Sequence, residues 1–65
     1  MMNQIGIDAG LVWQQLETAG EMSTGALKKA VGLSPFALYT ALGWLAREDK
    51  IYLSRTGNLI RVGLK

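Results

Sequence analysis

The sequence predicts an α+β fold: three short helices followed by a C-terminal β-hairpin. Three observations predict it. Apolar residues recur at helical spacing up to about Glu48, then alternate with other residues from Ile51 onward. A Ser or Asp stands ahead of each helical stretch, and Gly follows the first two. Between the two alternating runs lies "RTGN", a turn cluster.

The first helix is expected behind Asp8, whose carboxylate suits an N-cap because it can accept from free backbone N–H groups of the next turn. Ala9, Val12, Trp13, Leu16 and Ala19 then form an amphipathic stripe, and Gly20 fits the left-handed residue that closes a helix. Ser23 is the second N-cap. The helix behind it, "TGALKKAV", turns Leu27, Ala30 and Val31 to one side and Lys28 and Lys29 elsewhere, and ends at Gly32.

Ser34 is the third cap, and Pro35 occupies the first helical position, where its missing N–H costs nothing. This third helix is expected from Pro35 to about Glu48, burying Leu38, Ala41, Leu42 and Leu45. The hairpin follows, with Ile51 and Leu53 on one side and Tyr52 and Ser54 on the other. In its second strand Leu59 and Arg61 oppose Ile60 and Val62. Two strands alone are marginally stable, so the hairpin should pack on the helices, and "GEM" near residue 21 offers a short third strand.

Sixty-five residues make one domain, 1–65. A domain of this size buries only about 60% of its unfolded surface, yet the chain is 49% hydrophobic, so some apolar area invites a partner. The chain has no Cys and no His, which excludes disulfides and the usual zinc ligand sets. Seven Lys+Arg against five Asp+Glu give +2. That mild balance permits a nucleic-acid partner without announcing one. No apolar run reaches the ~18 residues of a membrane span, and "MMNQIGIDAG" lacks the basic start and apolar core of a secretory signal. A cytoplasmic protein is expected.

Catalytic chemistry has no visible seat. Glu48 and Asp49 are adjacent and diverge on a helix, Ser23 and Ser34 are explained as caps, and no Gly-rich phosphate loop has the required spacing. No catalytic residue, metal site, cofactor or small-molecule ligand is expected.

The tight connection "VGLS" between the second and third helices is that of a helix-turn-helix, and the hairpin behind it makes a wing. The span "MSTGALKKAVGLSPFALYTALGWLAREDKIYL" resembles the winged helix-turn-helix superfamily of bacterial regulators. With "DAGLVWQQL" ahead, the chain is similar to a small bacterial winged-helix family of uncharacterised function. The resemblance covers nearly the whole chain. It implies that Ser23 to Val31 is the positioning helix, Pro35 to Glu48 the recognition helix and Arg55 to Asn58 the wing tip. A fold of this kind serves many functions, so the site residues must decide.

Two functions are open. In the first the chain binds double-stranded DNA, with Lys28, Lys29 and Arg55 on phosphates, Tyr39 on a phosphate and Thr40 on a thymine methyl. Three neutralised phosphates give a salt slope of about −2.7. In the second the chain binds protein, most simply as a homodimer, through Phe36, Tyr39 and Trp44 or the hairpin edge. The recognition helix carries almost no base-reading amide or cation, which suits packing against protein better than reading bases, but the fold and the mild basic balance make DNA binding the first expectation and self-association the alternative. The same aromatics also suit the core: Trp44 under the hairpin, Phe36 against the turn.

Overall fold

The computed structural model describes residues Met2–Lys65. Three helices, α1 (Met2–Ala19), α2 (Thr24–Val31) and α3 (Pro35–Arg47), pack beside a three-stranded antiparallel sheet of β1 (Met22–Ser23), β2 (Ile51–Thr56) and β3 (Leu59–Leu64). The strand order is β1-β3-β2, so the last strand lies at the centre. "GEM" does supply the third strand: Met22 pairs with Val62 and Ser23 with Arg61.

The caps of α2 and α3 are as expected. Ser23 Oγ accepts from the Ala26 N–H and Ser34 Oγ from the Ala37 N–H, both at 3.2 Å. Gly32 closes α2 at φ 69°, its N–H donating to the Lys28 carbonyl at 3.0 Å. Helix α3 stops one residue early, with Glu48 as its C-cap. The hairpin loop is tighter than "RTGN": Arg55 and Thr56 stay in β2, Leu59 pairs with Thr56, and only Gly57 and Asn58 turn. Gly57 takes φ 61°, the positive value that two-residue hairpin loops require.

The start of α1 differs from expectation. Asp8 is not an N-cap but a buried residue within a helix that begins at Met2. Its Oδ1 accepts from Gln4 Nε2 at 2.8 Å, one helical turn back, so the carboxylate is satisfied by a side chain rather than by free N–H groups. Packing against α3 carries the helix through Gly6 and Gly10.

The core contains Ala9, Val12, Leu16, Leu27, Leu38, Ala41, Leu42, Leu45, Ile51 and Val62. Ala19 and Ala30, expected on buried stripes, are exposed. Leu53 shares a sheet face with Ile51, and Ile60 with Val62, yet both are exposed. They lie nearer the loop end of the hairpin, and burial is confined to the base of the wing.

Candidate nucleic-acid interface

The buried stripe of α3 fixes what its other face displays. With Leu38, Ala41, Leu42 and Leu45 in the core, Phe36, Thr40, Gly43 and Arg47 fall on the opposite side, spaced four, three and four residues apart. Phe36 is 83% exposed and Tyr39, flanking that row, 54%. Thr40 has no free donor: its Oγ1 donates to the Phe36 carbonyl at 2.7 Å, leaving the methyl and an acceptor oxygen. Gly43 has open space around it.

Trp44 lies apart from these. It is half-buried, packs on the core, and lines a groove between α1 and α3 with Gly6, Gly10 and Trp13. Of the three aromatics with two candidate roles, Trp44 therefore joins the core, while Phe36 and Tyr39 stand in solvent.

The cations divide into two groups. Arg61 pairs with Glu21 (Nε to Oε1, 2.6 Å) and Lys65 with Asp49. Lys28, Lys29, Arg47, Lys50 and Arg55 have no carboxylate partner among the described residues. Lys28 and Lys29 are exposed in the last turn of α2, immediately before the turn into the Phe36 end of α3. Arg47 is exposed in the last turn of α3. Its position on the Phe36 row was not singled out in the sequence, although the spacing from Phe36 could have shown it. The chain from Thr24 to Arg47 contains three cations and no Asp or Glu, so no carboxylate within the helix-turn-helix offsets them. Arg55 stands on a separate element, near the wing tip, where its Nε donates to the Gly57 carbonyl at 3.0 Å and ties the side chain to the turn.

Glu21 organises the opposite, non-core face of the sheet. Besides Arg61 it accepts from the Tyr52 hydroxyl at 2.7 Å. The hydrogen bonds from Tyr52 and then Arg61 hold its carboxyl below the usual carboxylate range, against the opposing effect of desolvation. The same bond to Glu21 raises the Tyr52 phenol. This cluster consumes one cation and leaves those of the helix-turn-helix free. No group of three or more metal-ligating side chains occurs among the described residues, and no described helix is long and apolar enough to cross a membrane.

The chain is similar to other proteins in sequence and in fold. Residues 1–64 match the winged helix-turn-helix domain family DUF2582. Uncharacterized protein MJ1608 of Methanocaldococcus jannaschii is 39% identical over 56 residues, covering 82% of this chain and 79% of its own. The solution NMR structure of protein BT2368 from Bacteroides thetaiotaomicron superimposes with a TM-score of 0.86 at 37% identity, over 95% of this chain and 76% of that one. The first relative is archaeal, so the similarity is not confined to bacteria. The chain belongs to the DUF2582 family of winged helix-turn-helix domains.

Proposed function

We propose that this protein is a cytoplasmic DNA-binding module, not an enzyme, that docks α3 on duplex DNA while Lys28, Lys29 and Arg55 meet phosphates. One observation carries the reading: the acid-free stretch from Thr24 to Arg47, whose cations stay unpaired while Arg61 and Lys65 are neutralised elsewhere. An uncompensated positive surface on a helix-turn-helix is what a polyanion would meet. Tyr39 stands at the edge of that surface with its hydroxyl free to reach a phosphate. Few phosphate contacts mean modest affinity. A fluorescence-anisotropy titration of a labelled duplex at low salt tests the reading, and an absence of binding at about 50 µM folded protein, inside the usual non-specific range, rejects it.

The second reading is self-association as a homodimer. It is favoured by the exposed apolar side chains of the wing, Leu53, Leu59 and Ile60. Light scattering decides it: a mass of one chain at working concentration excludes the dimer, and a doubled mass that Leu53→Ser returns to one chain supports it. The two readings compete at the wing, since Arg55 is the cross-strand partner of Ile60 and shares its sheet face with Leu53.

A further inference from the structure

We infer that the exposed face of α3 reads the C5 methyl groups of thymine, using Phe36 and the Thr40 methyl in place of polar base-reading groups. The inference rests on the DNA-binding reading above and adds what the helix would recognise.

Recognition helices of this kind put their N-terminal residues against base edges. Phe36 is the second residue of α3 and stands 83% exposed. Thr40, one turn on, has its hydroxyl proton engaged by the Phe36 carbonyl, so it presents its methyl and no donor. Gly43, next in the row, adds no side chain, and Arg47 stands at the far end of the helix, away from the bases under Phe36. The reading end of the row is therefore largely apolar and without a free donor.

An apolar surface pressed on the major groove discriminates by what it cannot satisfy. Guanine, adenine and cytosine present only donors and acceptors there, and covering one with a phenyl ring leaves it without a partner. Thymine alone adds an apolar methyl. A ring at Phe36 thus favours thymine by burying that methyl and disfavours the other bases by desolvating them. Charge selects this occupant over a second copy. Arg47 lies on this row, and Lys28 and Lys29 close α2 just before α3, with no acid between Thr24 and Arg47, so two copies meeting face to face on α3 would bring like charges together.

The probe is a mixed-sequence duplex of about 20 base pairs, long enough for the two helical turns a dimer could span, compared with the same duplex carrying deoxyuridine for every thymidine. This removes the methyl and keeps every hydrogen bond. Wild type should bind the uracil duplex more weakly, by about fourfold for each methyl buried, and should bind more tightly when cytosine is replaced by 5-methylcytosine. In F36A the ratio between thymine and uracil duplexes should fall towards one. T40S, which keeps the hydroxyl bond and removes only a methyl, should reduce the ratio partway. Equal binding of thymine and uracil duplexes by wild type overturns the inference and leaves DNA binding standing. Binding to neither duplex overturns both. A dimer in solution that F36A converts to monomer also overturns the inference, because the face is then already occupied.

Discussion

The Tyr52 ring occupies the space that a side chain at Gly63 would fill. The two residues are direct partners across β2 and β3, and a Cβ built on Gly63 would overlap the end of the ring and lie 2.6 Å from its Cε2. Because β3 is central and β1 lies beyond it, the ring must cross β3 for its hydroxyl to reach Glu21, the residue just before β1. Only the missing side chain at position 63 permits that crossing.

Gly63→Ala should therefore destabilise the fold by about 1 kcal/mol or more, by displacing the ring from Glu21. In a Tyr52→Ala background the same change should be neutral or stabilising, because an interior strand Gly is itself about 0.5–1 kcal/mol worse than Ala. A double-mutant cycle by urea denaturation checks the reversal of sign.

The Glu21 cluster makes stability depend on pH in two windows. Glu21 has a lowered folded value, so its contribution is complete above the unfolded carboxylate value and is lost as pH falls through the folded one. Tyr52 has a raised folded value, so its contribution is complete below the unfolded phenol value and is lost as pH rises through the folded one. Tyr52→Phe should leave the acid-side loss shallower and remove this tyrosine's share of the alkaline loss. Urea midpoints measured at acid, neutral and alkaline pH test this; parallel wild-type and variant profiles would contradict it. The cluster is exposed, so the effect should also shrink in high salt.

The two serine caps should each be worth about 1 kcal/mol. Ser23→Ala and Ser34→Ala each strip one acceptor from a helix N-terminus, and their effects should add, since the caps share no partner. Gly32→Ala should cost a similar amount through backbone strain at φ 69° alone. Thermal melts of the three variants check this.

Leu38→Ala should cost about 2–5 kcal/mol, because the side chain is fully buried in the core. For so small a domain that is enough to leave much of the population unfolded at room temperature. Circular dichroism during chemical denaturation measures it.

What could be read from the sequence was local. Ser23, Gly32, Ser34 and Pro35 act on the turn beside them, and the Leu38–Leu45 stripe repeats at helical spacing, so each could be placed from its neighbours. The start of α1 could not. Asp8 has the chemistry of a cap, and only the fold shows it buried with Gln4 as its partner. The Tyr52–Glu21–Arg61 cluster was hidden for a different reason: its members lie 31 and 40 residues apart, and no periodicity links them. Trp44 sits at the boundary between the buried and exposed faces of α3, where helical spacing alone does not decide burial; contact with α1 does. In the candidate interface, composition supplied the cations, but only the ion pairs of Arg61 and Lys65 separate the neutralised ones from the rest.

The most direct test of the central claim is the salt dependence of duplex binding by wild type and by a Lys28→Gln, Lys29→Gln double variant. With Lys28, Lys29 and Arg55 on phosphates, the logarithmic slope should be about −2.7 for wild type, a loss of roughly 40-fold between 50 and 200 mM salt, and should fall to about −0.9 in the variant. Equal slopes for the two proteins, or no measurable binding by wild type at the lowest salt, would contradict it.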